Sequence, residues 1–235
     1  MNAKITTLKA SLIALFLFAS SAAWSATYYT CIGTALNLTA GTPATGTTYL
    51  WDVRQGGTSI SGYPSATAPT SFPTAGSYDI ILVNTTTAET GSCKSDPVEN
   101  TVVVLPALAL SLGTPTLPAY CASATTPSSD VASTMTGFPA TYSTDLEAEY
   151  AYSVSKDGAA GVNGTTVGTI DAATGKYTLT TTTPGVYVIT GTVKYKAKTG
   201  VSLLGTGCPS PVSNTETITV TAKPAAPTIT ITAAN

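Results

Sequence analysis

The strongest constraint on this chain is that it writes one cassette twice. Gly76-Ser77-Tyr78 is followed by Cys93-Lys94-Ser95-Asp96-Pro97-Val98-Glu99-Asn100-Thr101 and a valine run. Gly185-Val186-Tyr187 is followed in the same order by Cys208-Pro209-Ser210-Pro211-Val212-Ser213-Asn214-Thr215 and an alternating Ile/Val run. Matched tripeptides, cysteines and Pro-Val-x-Asn-Thr blocks mark a tandem of two related modules, since a duplicated folding unit shows itself as self-similarity at a long interval. The expected organisation is a signal peptide at 1–25, a first module over 26–106, a second over 107–222 and a tail at 223–235.

The first residues read as an export signal. Lys4 and Lys9 make a positive start, residues 11–19 make an apolar stretch too short to cross a bilayer, and small residues allow cleavage after Ser25 or Ala23. Nothing resembling a lipid-attachment motif precedes Cys31, which follows Tyr28-Tyr29-Thr30. No second apolar run of membrane length follows, so the expected product is secreted, extracellular, at the cell surface or periplasmic, with no stable membrane insertion once the signal is removed.

Charged residues are 9% of the chain, against about 25% in ordinary globular proteins. Low charge combined with 43% hydrophobic residues is opposite to the signature of disorder. A net charge of −2 and a single arginine, Arg54, leave no basic stripe for phosphates, which excludes nucleic acid as an expected partner.

Four cysteines in an exported chain read as two disulfides. Each module holds one cysteine near its start and one before its last strand, so the repeat selects Cys31 with Cys93 and Cys121 with Cys208. On the chain-entropy view each such bridge would stabilise its module by roughly 4 kcal/mol. Zinc is not expected, because the cysteines lack Cys-x-x-Cys spacing and the chain has no histidine. No cofactor is expected either.

Strand periodicity runs through both modules. Tyr49, Trp51 and Val53 alternate with Leu50, Asp52 and Arg54 up to Gly56-Gly57, and Tyr150, Tyr152 and Val154 alternate with Ala151 and Ser153 up to Asp157-Gly158, so Tyr152 stands where Trp51 stands. Tyr78, Ile80 and Leu82 share a face, as do Tyr187, Ile189, Val193 and Tyr195. The closing strands are 101–105 and 215–221. Thr and Val enrichment with frequent Gly and Pro predicts an all-β fold of two β-sandwich modules, with Trp51, Tyr78, Tyr152 and Tyr187 as core aromatics.

An aromatic on one strand and a Gly-x-Tyr opening a later one resemble an immunoglobulin-like sandwich. In antibody domains the second cysteine stands two residues after that tyrosine; here Ile80 and Ile189 occupy those positions. Cys31-Ile32-Gly33 before a Leu36-Asn37-Leu38 strand resembles the Ig-like and PKD-like repeats of secreted surface proteins of gliding, polymer-degrading bacteria. Trp51-Asp52-Val53-Arg54-Gln55-Gly56 is similar to the Trp-Asp-Phe-Gly-Asp-Gly turn of PKD domains, with Arg54 and Gln55 in place of Gly-Asp. The hairpin-like Gly168-Thr169-Ile170-Asp171 and Thr174-Gly175-Lys176-Tyr177 belong to the same resemblance. It implies spacers, stalks and adhesive repeats, not an activity.

Without histidine, Ser-His-Asp and Cys-His catalysis is excluded. The one carboxylate cluster, Asp145, Glu147 and Glu149, has strand spacing; it reads as a solvated face that discourages edge pairing, against a glycosidase pair or calcium site. Tyr28, Tyr29, Tyr63, Tyr120 and Tyr142, at module starts or in loops, are the residues from which a sugar-stacking platform would be built. Sequons at Asn37, Asn84 and Asn163 carry little weight in a chain this rich in threonine.

The tail poses a separate question. Pro224 and Pro227 end the second module near Ala222, yet 228–232 reads Thr-Ile-Thr-Ile-Thr, a period-two strand without a domain. It is a vestigial module start or free tail, a strand folding back, or a donor to another subunit. The sequence therefore reads as a non-enzymatic surface protein, a stalk or adhesion module, whose partners are other surface or secreted proteins or extracellular polysaccharide. The alternative is a carbohydrate-binding module of a polysaccharide-degrading system.

Overall fold

The computed structural model describes residues 26–86 and 93–231; the expected signal peptide at 1–25 lies outside the described residues. The chain divides into two compact units, Met1–Val104 and Leu105–Asn235. It is all-β: among the described residues the only helical elements are single 3-10 turns at Ala140–Tyr142 and Gly164–Thr166.

In the first unit β1 (Thr27–Cys31), β2 (Thr47–Gln55), β3 (Thr58–Ser59), β4 (Gly76–Thr86) and β5 (Val98–Leu105) lie in the order β1-β5-β4-β2-β3. β2 turns into β3 through Gly56 and Gly57, with φ of 57° and 80°, as a two-residue hairpin turn with positive φ at both central positions requires. Trp51 and Val53 of β2, Tyr78 and Ile80 of β4, and Val102 and Val104 of β5 form one core with Phe72, whose ring stacks on Tyr78 at 4.3 Å. Leu36, Leu38 and Ile60 pack on this core from segments that form no extended ladder. The expected Leu36-Asn37-Leu38 strand is not formed. Leu36 N–H reaches Thr70 O at 2.7 Å, but the segment opposite carries Pro64, Pro69 and Pro73, which have no N–H to donate in return.

The second unit contains β6 (Ala109–Leu112), β7 (Ala119–Cys121), β8 (Ser129–Val131), β9 (Ser133–Thr136), β10 (Leu146–Lys156), β11 (Val162–Asn163), β12 (Gly168–Ile170), β13 (Tyr177–Leu179), β14 (Gly185–Ala197), β15 (Ser202–Leu203) and β16 (Glu216–Thr221). One sheet runs β11-β10-β14-β16-β7, with β7 parallel to β16. Sheets β12-β13-β8 and β6-β9 supply the other layer of an immunoglobulin-like sandwich. Burial alternates along β14, where Tyr187, Ile189, Gly191, Val193 and Tyr195 point inward. The layers meet where Tyr152 of β10 stacks on Tyr177 of β13 with centroids 4.9 Å apart, and Tyr177 Oη donates to Gly164 O at 2.8 Å.

The duplication is visible in the strand register. Val53 faces Ile80 and Trp51 faces Leu82; Val154 faces Ile189 and Tyr152 faces Gly191. Tyr78 lies opposite Val102 and Tyr187 opposite Ile218. Leu82 and Gly191 are thus equivalent, and the glycine answers to Tyr152: a Cβ there would stand 2.9 Å from the Tyr152 ring and from Leu110. The Pro-Val-x-Asn-Thr blocks are not equivalent in space. Asn100 sits inside β5 opposite Ile80, whereas Asn214 precedes β16 and clasps the backbone of Leu112, accepting from its N–H at 2.7 Å and donating to its carbonyl at 2.9 Å.

Each Gly-x-Tyr carries the same hydrogen bond. Tyr78 Oη donates to Thr74 O at 3.1 Å and Tyr187 Oη to Thr183 O at 2.8 Å, each four residues back, which is the corner that pins the entry of this strand in immunoglobulin-like domains. Gly76 and Gly185, between acceptor and donor, have φ of 151° and 155°, where a side chain would be strained.

The expected disulfides are corrected. Cys93 and Cys121 are free, whereas Cys31 and Cys208 are disulfide-bonded, so neither Cys31 with Cys93 nor Cys121 with Cys208 forms. The reason is position along the strands. Cys121 pairs with Thr221 beside the Gly185 end of β14, while Gly207 O accepts from Tyr195 N at the opposite end. About ten residues of strand separate them, roughly 33 Å, against the ~6 Å between Cα atoms that a disulfide spans. In the first unit Cys93 pairs with Thr86 while the Cys31 turn bonds Phe72, beneath Tyr78. Repeat symmetry put the cysteines at matched places, but those places are opposite ends of a sheet.

Two outcomes follow. Tyr187→Phe should lower unfolding stability by about 1 kcal/mol, the net worth of one hydrogen bond, read as a drop in urea midpoint at unchanged slope. Titration of the denatured, unreduced protein with a thiol reagent should find two thiols per chain, with Cys93 and Cys121 labelled in the peptide map; zero or four would contradict the structure.

Candidate functional site

The side chains most able to meet a partner gather along one border of β10. On its outer face Glu147 stands directly opposite Lys196 and Glu149 opposite Lys194 on β14. Their charged atoms lie 2.8 and 3.3 Å apart, the cross-strand placement in which opposite charges stabilise a sheet. The hydrogen bond and charge of Lys196 hold the Glu147 carboxyl below the ordinary carboxylate range, and the same contact raises Lys196. A glycosidase acid needs a raised pKa, so Glu147 is tuned in the wrong direction for that chemistry. Asp145 immediately precedes the strand, and its carbonyl accepts from Lys198 N at 2.9 Å. Among the described residues no group of three or more His, Cys, Asp or Glu is placed to hold a metal.

The inner side of the same border is different. Tyr195 N donates to Gly207 O, and Val193 O accepts from Ser210 N, so these β14 residues turn their backbone groups away from β10. By antiparallel alternation Lys194 and Lys196 turn theirs toward Glu149 and Glu147. Ala148 and Tyr150 therefore present N–H and C=O outward, at an edge that β11 covers only at Ser153 and Val154. Beside it lies a groove of about 540 Å³ whose apolar floor is Met135, Phe138, Leu146, Tyr150 and Ile170, with Glu147, Glu149, Lys196 and Lys198 along its charged border. Tyr150 Oη points at Met135 Sδ, 3.9 Å away, and Phe138 lies 5.2 Å from the Tyr195 ring, whose hydroxyl shares its one proton between Pro106 O and Gly137 O, each 3.1 Å away.

The residues singled out in sequence are placed elsewhere. Trp51, Tyr78, Tyr152 and Tyr187 are buried in the cores of their units, as are Ile80 and Ile189 at the antibody cysteine positions. Tyr29 and Tyr120, expected as stacking surfaces, are corrected: both are buried in strands, and Tyr120 Oη donates to Thr181 O at 2.7 Å. Burial leaves no ring face for a sugar. Tyr28 and Tyr63 pack against the first core, and Tyr142 is half-buried in its 3-10 turn, so the five rings build no common platform. Tyr63 alone reaches a second groove of about 440 Å³, shared with Gln55, Thr67 and Thr70. Sequence reasoning missed Met135, Phe138 and Ile170. Their only signal was the long β10 alternation without a full-length second partner.

Two carboxylates, buried Asp52 and half-buried Asp130, hold strands rather than ligands. Burial pushes the Asp52 pKa up, but hydrogen bonds from Ser59 and Arg54 outweigh it, and the pKa is lowered; Arg54 Nε lies 2.7 Å from Asp52. Asp130 is lowered by hydrogen bonds from Lys176 at 2.8 Å and Thr178 at 2.7 Å.

No family profile matches this sequence, and no curated protein matches it. Among solved structures the chain is similar to the fibronectin(III)-like modules of CbhA from Clostridium thermocellum, at 15% identity over 85% of this chain and 92% of that one, with a TM-score of 0.35. It is similar to Drosophila N-cadherin EC1-4 at 16% identity over 84% and 48%, TM-score 0.29. It is also similar to SGBP-B of the Bacteroides ovatus mixed-linkage glucan utilization locus, in complex with a mixed-linkage heptasaccharide, at 15% identity over 86% and 67%, TM-score 0.26.

The titrations define the pH range of the fold. With no histidine in the chain, thermal midpoints should be flat between about pH 5 and 8. Lowered carboxylates contribute stability above their unfolded pKa of about 3.9 and lose it as pH falls through the lower folded values, so Asp130→Asn should flatten the acid limb. Tyr120 and Tyr195, raised by burial to about 12, contribute stability below about pH 10 that is lost as pH rises through 12. Midpoints from pH 2 to 12 by circular dichroism check both limbs; a transition near pH 6.5 would contradict the assignment.

Proposed function

We propose that this chain is an exported, non-enzymatic surface protein whose immunoglobulin-like units, of PKD-like type, act as a stalk or adhesion module toward other surface or secreted proteins. The observation that carries the reading is how the reactive inventory is used. The Glu147 and Glu149 carboxylates are paired with lysines, Asp130 ties β8 to Thr178 of β13, and Asp52 holds Arg54 of its own strand and Ser59 of β3. Most of the aromatic rings among the described residues are buried in cores. The PKD-like Trp51-Asp52 element fits the same role: Trp51 is buried while Asp52 grips Arg54 ahead of the Gly56-Gly57 turn. The paired cysteines support an oxidising compartment, and among the described residues no helix is long and apolar enough to cross a membrane.

A carbohydrate-binding reading has one observation in its favour, the 440 Å³ groove where Tyr63 meets the Gln55 amide and the Thr67 and Thr70 hydroxyls. The two readings separate in a single experiment. Native protein should stay in the supernatant with insoluble polysaccharides and give no signal on a glycan array, while antibody labels it on intact cells. Retention on a glycan that Tyr63→Ala abolishes would replace the stalk with the carbohydrate module. Labelling only after permeabilisation would sink the surface assignment.

A further inference from the structure

We propose that the tail strand around Ile229 and Ile231 of one copy adds to the open β10 edge of another, so that the protein assembles head to tail. The acceptor is the border already described: outward backbone groups at Ala148 and Tyr150, beside a groove lined by Met135, Phe138 and Ile170. The donor is the tail. Ile229 and Ile231 are 82% and 92% exposed, the most exposed large apolar side chains among the described residues, and residues 223–231 enter no ladder. The strand folding back on the second unit is thereby corrected for the described residues.

Donor and acceptor match in length, side-chain parity and chemistry. The uncovered edge spans about five residues, Leu146 to Tyr150, and 228–232 is five residues long, starting just after Pro227. In an added strand successive side chains point to opposite faces, so Ile229 and Ile231 turn together toward the apolar floor of the groove, Met135, Phe138 and Ile170, while the threonines turn to its Glu147-Lys196 border. Both partners are nearly neutral there, because each glutamate on that face already has its lysine.

The donor must come from a second molecule. The tail leaves β16 at Thr221, beyond the Val220–Gly185 pair, whereas Tyr150, the nearest residue of the open edge, pairs with Val193. Eight residues along β14 and three strand spacings across put the edge roughly 30 Å from the tail's root. The seven residues from Thr221 to Thr228 reach at most about 24 Å fully extended. A tail that cannot reach its own groove, meeting a groove that every copy carries, makes a heterologous contact that adds copies head to tail, as a filament or a ring. The inference is independent of whether the surface also binds a glycan.

The test uses the chain with both units and residues 223–235 intact and with Cys93 and Cys121 alkylated, so that thiol crosslinks play no part. Sedimentation velocity over a concentration series should show growing weight-average mass. Ile229→Asp with Ile231→Asp should abolish the growth. So should Ala148→Pro, which removes an outward-facing N–H at an edge position where proline is tolerated. The two variants are complementary, one keeping an intact edge and the other an intact tail. Mixed, they should give a twofold increase in mass and no more, with neither assembling alone. Should the proline variant fail to fold by circular dichroism, binding of a synthetic peptide of residues 226–232 to the tail variant replaces that arm. A monomer at every concentration, assembly that survives loss of both isoleucines, or no association in the mixture or with the peptide would overturn the proposal.

Discussion

Both units hang on one hydrogen bond: a tyrosine hydroxyl reaching back to a threonine carbonyl four residues earlier, across a glycine whose φ no other residue adopts comfortably. That bond fixes where β4 and β14 begin. With the start fixed, the period of two decides the rest: Ile80 and Ile189 turn inward, Val53 and Val154 meet them from the neighbouring strand, and Trp51 and Tyr152 cap the same point of each core. One slipped residue would reverse every side chain, so a register pin at the strand entrance does more than its own energy suggests.

The units have diverged in what covers that common frame. Proline at 64, 69 and 73 denies the first unit a full opposing ladder, and Leu36, Leu38 and Ile60 close the core from irregular chain. The second unit replaces those segments with strands and fills the deeper space with rings. Gly191, Gly164 and Gly168 all crowd against Tyr152 or Tyr177, as expected where large aromatics are fitted between backbones. The sandwich is more regular there, and its edges are correspondingly more exposed to pairing.

Sequence made the frame legible because the frame is periodic. The alternations of β2, β10 and β14 and the two Gly-x-Tyr starts are local signals. Cysteine pairing was illegible for an equally physical reason: equal position in a repeat says nothing about distance, and the parallel β7–β16 pairing carries Cys121 to the far end of the sheet from Cys208. The groove escaped because Met135, Phe138 and Ile170 come from three separate stretches and meet only through packing. Tyr29 and Tyr120 misled in the opposite sense, looking like loop residues beside cysteines when each is a buried ring of a short strand.

With charges on only 9% of its residues, the chain leaves most of the holding to neutral groups: Tyr177 to Gly164, Tyr195 to Pro106 and Gly137, Tyr120 to Thr181, Asn214 to Leu112. Such bonds are indifferent to ionic strength, whereas exposed pairs such as Glu147–Lys196 are screened by it. What screening would remove is a minor part of the fold and little of its edge control, because the charges sit on the outer face of β10 while the backbone edge beside them belongs to Ala148 and the half-buried Tyr150. Charges at an edge deter pairing when they stand where the incoming strand must lie. Here each glutamate reaches along the outer face to its lysine on β14, which stabilises the β10–β14 ladder and leaves the opposite border of β10 unguarded.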